Sequence, residues 1–409
     1  MLGVLIMVAA LAGCTYVHPH VALPDLRLGE PSFFPTLEAY TSTPIVAQNR
    51  VDVLLNGEEI FPAITDAVRH ARRTLNYAQY YFDDGPVARD LVEAIAERCR
   101  AGVGANVLLD GFGTLTMPEE HVESMRRSGC HVETFRPIRP LTLHKTQFRN
   151  HRRILVIDGR VGFTGGAGVS RKWMGNGRVH GHWRDTDARV EGPVVSQLQS
   201  AFAENWLEGT GIVLGGDDYF PRLGPAGPAY AQVVRSSPSG GRFAMYTMYL
   251  LAVSAARRSI FLTNPYFVPD KKLAQALVNA VSRGVRVVAL VPGKIDHDIV
   301  RQASRADYGR MLQAGIEIYE YQAALLHAKT MVIDGVWTTI GSANLDNQSF
   351  ARSDELNLVV YDAAVARRME KVFLEDVANA TRVTYEAWRR RGAWNRVQEL
   401  LVLPIRNWL

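Results

Sequence analysis

Cysteine is scarce in this chain, with three residues among 409, at positions 14, 99 and 130. Their number and scatter exclude a disulfide framework and a zinc cluster built from paired cysteines, and no structural metal is expected. Cys99 falls in a helical pattern and Cys130 just ahead of a strand, so both are expected to pack as small apolar side chains. Long apolar runs are also missing: beyond the first seventeen residues no stretch could span a bilayer. A strong charge of either sign is absent too. The 46 Lys plus Arg against 41 Asp plus Glu leave a formal +5, which suits an anionic partner without choosing between phospholipid and nucleic acid. Hydrophobic residues at 47% exclude disorder and fit a well-cored protein of two domains or one large duplicated one.

The opening MLGVLIMVAALAGCTYV carries no charge, ends in small residues, and is too short for a lasting transmembrane helix. It reads as a secretory apolar segment over residues 1–13. Leu11-Ala12-Gly13-Cys14 resembles the lipobox of bacterial lipoproteins, which implies lipidation at Cys14 and a periplasm-facing anchor in the bacterial envelope. A peripheral position on the inner membrane is the alternative.

What the chain does have is a repeat. HRRILVIDG from His151 is answered by HAKTMVIDG from His327, and the flanking segments match in the same order. ARRTLNYAQYYFDD from Ala71 pairs with ARRSIFLTNPYFVPD from Ala256. LVEAIAERCRAGVGANVLLDG from Leu91 pairs with LAQALVNAVSRGVRVVALVPG from Leu273, and MRRSGCHVETF from Met125 with MLQAGIEIYEY from Met311. Each half alternates strand and helix, which predicts an α/β fold of two pseudo-symmetric halves, each a mixed or parallel sheet flanked by helices. The expected organisation is a linker over 14–50, halves at 51–207 and 231–378, a Gly/Pro-rich connection at 208–230, and a Trp/Arg-rich tail at 379–409.

The second copy extends to Gly341, Ser342 and Asn344, giving His-x-Lys-x4-Asp-x6-Gly-Ser-x-Asn. This duplicated pattern resembles the signature of the phospholipase D superfamily. Through FRNHRRILVIDGRVGFTGG, HWRDTDARVEGPVV, NPYFVPD and IGSANLDNQSF the chain is most similar to the bacterial cardiolipin synthases, over roughly Val51 to Asp376. The resemblance implies an active site at the interface of the halves, where His151, Arg153, Asp158, His327, Lys329 and Asp334 are the motif residues. A phosphodiester needs a nucleophile, an acid for the leaving alkoxide, and cations on its free oxygens. One motif supplies half of that set.

By the same resemblance His151 is expected to form a phosphohistidine, and His327 to act as general acid and then base, with Lys329 and Arg153 holding the phosphate charge. Nearby carboxylates must set the two imidazoles apart. Aligning WRDTDARV with SDELNLVV pairs Asp185 with Glu355 as histidine partners, Asp185 being taken for the first motif. Gly165, Gly166, Ser342 and Asn344 are expected to support the site. Asp158 and Asp334 lie seven residues past the histidines, so strand alternation turns them away from the chemistry, towards a supporting role at the strand end. The first copy departs from the family at Arg153, where Lys is usual, and at Gly168, where Asn is usual. The latter predicts a lost amide contact.

RPIRPLTLHKTQFRN, Arg136 to Asn150, brings Arg136, Arg139, Lys145 and Arg149 up to the first motif, as a head-group contact or a solvated loop. In the tail, Trp388, Trp394 and Trp408 alternate with arginines, which suits either a membrane interface or packing on the core. The function implied is phosphatidyl transfer between phospholipids, such as phosphatidylglycerol, at a membrane surface. No metal or organic cofactor, and no nucleic acid, is expected. Alternatives are a phosphodiester hydrolase and a lipid-binding scaffold; oligomeric state is not legible.

Overall fold

The repeated sequence segments become repeated strands. A computed structural model describes residues 22–139, 147–238, 242–293 and 298–402. Among these, the first half contributes β1 (Val46–Leu55), β2 (Thr74–Gln79), β3 (Gly104–Asp110), β4 (His131–Phe135), β5 (Arg149–Asn150), β6 (Ile154–Ile157), β7 (Val161–Gly165), β8 (Trp183–Arg184) and β9 (Thr186–Glu191). The second contributes β10 (Ala229–Ser236), β11 (Ser259–Thr263), β12 (Arg286–Pro292), β13 (Glu317–Tyr321), β14 (Leu325–Leu326), β15 (Thr330–Ile333), β16 (Trp337–Gly341), β17 (Ser353–Tyr361) and β18 (Ala380–Val383).

In the first half β2, β3 and β4 run parallel, and β6, β7 and β9 continue antiparallel from β2. The second half repeats this with β11, β12 and β13 parallel and β15, β16 and β17 antiparallel. β1 pairs with both β9 and β10, so the halves share one sheet.

The crossover helices Pro86–Arg100 and Lys271–Ser282 bury Leu91, Val92 and Ile95, and Leu273 and Leu277, at helical spacing. Pro86 opens the first, and Asp270 caps the second by accepting from the Leu273 N–H at 2.8 Å. Each half has its own core, and a third cluster, which includes Val156, Ala188 and Trp206 with Val233, Ile340 and Leu358, fills the seam between them.

Three segments depart from the sequence expectation. The region expected as a linker holds a helix, Phe33–Thr41, whose Phe33 and Leu37 are buried in the second half's core. The region expected as a tail begins with β18, which pairs with β13. Cys99 and Cys130 are joined by a disulfide across 31 residues, with Cα atoms 5.4 Å apart. Three cysteines are too few for a framework, but a single bridge needs only two, and the end of the crossover helix and the entry to β4 bring these together. By the loop-entropy account such a bridge stabilises by roughly 3–4 kcal/mol.

Candidate active site

Both histidines precede their strands: His151 stands before β6 and His327 before β15. β6 is antiparallel to β2 and β15 to β11, so each histidine lies at the sheet edge where the parallel strands end. Two short strand pairs then cross the seam. β5, leading into His151, pairs in parallel with the start of β17, and the His151 N–H donates to the Asp354 carbonyl at 2.9 Å. β14, leading into His327, pairs in parallel with β8, and the His327 N–H donates to the Arg184 carbonyl at 2.8 Å.

Each crossing delivers a histidine to the acid of the opposite half. His151 Nδ1 lies 2.9 and 3.0 Å from the Glu355 carboxylate oxygens, and His327 Nδ1 lies 2.7 Å from Asp185 Oδ2. The expectation that Asp185 serves the first motif is thereby corrected: the carboxylates are exchanged between halves, because the two residues before each acid pair with the strand before the other half's histidine.

The cations are close by. Lys329 Nζ sits 2.9 Å from both ring nitrogens of His327 and donates to its carbonyl at 2.6 Å. Arg153 donates to the His151 carbonyl at 2.6 Å and lies over the Tyr80 ring at 5.5 Å, while its buried Nε has no hydrogen-bond partner among the described residues. The Asn344 side-chain oxygen is also buried and has no partner among the described residues. Both are polar groups poised to bond a group entering from outside.

Burial first, then Arg153 and Lys329, hold the His151 ring well below its usual pKa. His327 is brought down to about 4 by burial and Lys329, against the pull of Asp185. Burial pushes Glu355 up to about 7, against hydrogen bonds from Ser342 and Ser349. Burial also opposes the charge on Asp185, yet His327, Lys329 and the Trp173 N–H keep it below the ordinary carboxylate range.

The remaining predicted residues serve these pairs or lie elsewhere. Ser342 donates through Oγ to Glu355. A Cβ on Gly166 would fall 2.2 Å from Asp185 Oδ1, and one on Gly165 would fall 2.0 Å from Asp187 Oδ1, so the double glycine lets β7 approach both acids. Asp158 and Asp334 sit at the opposite end of the strands with φ of 52° and 54°. Asp158 accepts from the N–H groups of Arg72, Arg73 and Thr74, and Asp334 from those of Arg257, Arg258 and Ser259. They tie a turn to the start of the neighbouring strand and face no imidazole. Cys14 and Lys145 lie outside the described residues.

Sequence reasoning missed three participants. A Cβ on Gly168 would meet the Trp173 ring at 2.9 Å, so the space of the family's Asn is filled by that indole. Trp173 Nε1 donates to Asp185 Oδ2 at 2.8 Å and its ring stands edge-on to His327 at 5.2 Å. In the other half Ser342 makes the matching bond to Glu355. Tyr80 stands edge-on to His151 at 4.7 Å. Fully buried Arg152 donates to the carbonyls of Glu355, Ala201 and Ser236, clamping the His151 segment across the seam. The small residue at 168 was the one signal in the sequence of room for a large neighbour.

Two repeated halves that each bring one motif histidine to the seam, where their carboxylates are exchanged, define a phospholipase D-like protein. A family model described as "Cardiolipin synthase, PLD-like domain" matches residues 64–206 and 249–377. The major cardiolipin synthase ClsA of Bacillus subtilis is 32% identical over 355 residues, 86% of this chain and 73% of its own. The cardiolipin synthase of Geobacillus kaustophilus is 33% identical, over 87% of this chain and 72% of its own. The crystal structure of a phosphatidylserine synthase from Haemophilus influenzae superposes with a TM-score of 0.66 at 12% identity, covering 91% of this chain and 96% of that one. That last likeness concerns the fold. The chain belongs to the cardiolipin synthase family.

Proposed function

We propose that this protein is a phosphatidyltransferase that joins two molecules of phosphatidylglycerol into cardiolipin and releases glycerol. The observation that carries the reading is the pair of exchanged histidine–carboxylate contacts beside Lys329 and Arg153. In the first step His151 Nε2 forms a bond to phosphorus, the bond to the glycerol oxygen breaks, and a proton passes from His327 to that oxygen. In the second, His327 takes the proton from the hydroxyl of the acceptor lipid, whose oxygen bonds to phosphorus as the phosphohistidine bond breaks. The division of labour is supported by the charge on Asp185, which lies against His327 Nδ1 and favours its imidazolium against the burial and the Lys329 charge that lower it. Arg153 and Lys329 offset the phosphate charge in a water-poor site.

Purified protein incubated with phosphatidylglycerol should yield cardiolipin and glycerol in equal amounts. Phosphatidic acid with glycerol would mean that water resolves the adduct, and the protein would be a hydrolase. Among the described residues no helix is long and apolar enough to cross a membrane. The Cys99–Cys130 bridge and the lipobox-like residues before Cys14 favour a lipid-anchored position facing the oxidising side of the bacterial envelope. Cys14→Ser should abolish palmitate labelling; unchanged labelling and fractionation would rule the anchor out.

A further inference from the structure

Two exposed apolar segments, one from each half, are linked to the chain at the active site, the first directly and the second through Val268. In the first half Phe112 and Leu115, at 50% and 64% exposure, lie on the loop that leaves β3. Buried Asp110 holds this loop by accepting from the Phe112 and Gly113 N–H groups, and its other oxygen accepts from the Asn150 N–H at 2.8 Å, one residue before His151. In the second half the helix Ala393–Val402 presents Trp394, Val397, Leu400 and Leu401 to the outside, with 68, 42, 63 and 70% exposure. Its opposite face is fixed: Glu399 is buried and ion-paired to Arg391, and Val402 packs with Val268 and Ala303. The Val268 N–H donates to the Leu345 carbonyl at 3.1 Å, one residue after Asn344.

Large side chains at such exposure, on a face whose reverse is well packed, mark a surface that meets another apolar phase. Charge identifies it. Arg389, Arg390 and Arg396 are exposed on and beside the helix, where a Trp, aliphatic residues and guanidinium groups combine as they do on helices lying in the plane of an anionic bilayer. The geometry points to a two-part membrane-docking rim, the β3 loop and the helix Ala393–Val402, that seats the mouth of the active site on a bilayer of anionic phospholipid. The inference rests on the phospholipid reading above and adds where the lipid phase is met. The substrate can then reach the histidines by a short displacement of its head group rather than by leaving the bilayer.

The test separates docking from chemistry. Leu400→Glu with Leu401→Glu, and separately Phe112→Glu with Leu115→Glu, are compared with the wild type in sedimentation with phosphatidylglycerol vesicles and with phosphatidylcholine vesicles. Turnover is measured on phosphatidylglycerol dispersed in detergent micelles. Wild type should bind the anionic vesicles preferentially, and each double variant should lose about tenfold or more in vesicle affinity, since each replaces two apolar contacts with charges. Micellar turnover should stay within about twofold for Leu400→Glu with Leu401→Glu, which are exposed opposite Glu399 and Val402, and for Leu115→Glu alone, which spares the contact of the Phe112 ring with the Arg149 guanidinium. Vesicle binding equal to wild type in both variants would overturn the proposal. So would a wild-type dimer that Leu400→Glu with Leu401→Glu converts to monomer without weakening vesicle binding, since a second copy would then cover the helix. The sedimentation arm needs no turnover, so it stands even if the transfer reading fails.

Discussion

Glu355 sits where a proton decides the tautomer of His151. As a carboxylate it accepts from Nδ1–H and leaves the Nε2 lone pair free to attack phosphorus. As a protonated acid it donates to Nδ1, and the hydrogen then resides on Nε2, which cannot attack. With the Glu355 carboxyl pushed up to about 7, kcat/KM should rise as pH increases through about 7. Glu355→Gln should remove that limb and lower the rate by at least about a hundredfold, because the amide donates to Nδ1 at every pH. A Glu355→Gln enzyme that keeps the wild-type pH profile would show that this contact does not set the tautomer. On the other side of the site, Trp173→Phe keeps the ring beside His327 but deletes the bond to Asp185. A hydrogen bond to a charged group is worth about 1.5–3 kcal/mol, so turnover should fall about tenfold to a hundredfold. If Trp173→Phe turns over like wild type in initial-rate assays, Asp185 needs no support from the indole. Gly168→Asn should not rescue the family pattern here, since its Cβ would meet the Trp173 ring.

Among the elements, the two turns after β6 and β15 separate stability from chemistry. Asp334 receives three backbone N–H bonds and Asp158 does the same in the other half. Asp334→Ala should therefore lower the unfolding free energy in urea by about 1–3 kcal/mol, while turnover of the folded enzyme stays within a fewfold. Loss of turnover with an unchanged urea midpoint would place the carboxylate in the reaction. The order of strands in each half was legible from the repeat, but strand alternation does not set the direction of these aspartates, since they and the motif histidines all lie outside β6 and β15 and the aspartates stand in turns with positive φ. The exchange of Asp185 and Glu355 was not legible. Alignment within a repeat equates positions but carries no information on which half a two-residue strand such as β5 or β14 will pair with. Nor could Trp173 be read beside Gly168, since the filling of a gap five residues away depends on side-chain volume rather than on a motif. The bridge between Cys99 and Cys130 was hidden for a related reason: their adjacency comes from the parallel order of β3 and β4, which spacing along the chain does not express.

At the scale of the whole molecule, the halves are useful only together. β1 joins their sheets, Arg152 and the seam cluster lock them, and the two motif histidines each take their carboxylate from the opposite half. The disulfide belongs to the first half alone. Its removal by Cys99→Ser with Cys130→Ser should cost about 2–5 kcal/mol in unfolding without altering the rate of the folded enzyme. Alkylation of both thiols in unreduced, unfolded protein would show instead that no bridge forms.

The central claim is that one half attacks and the other handles protons, and an activated lipid tests it directly. A phosphatidyl ester of p-nitrophenol has a leaving group that needs no acid, so the His327→Ala enzyme should still form the adduct but lack the base that resolves it. The expected result is a burst of about one p-nitrophenolate per chain followed by a stall, with the phosphatidyl group recovered on His151 by peptide mapping. Continued turnover without a burst, or an adduct that forms equally in His151→Ala, would contradict it.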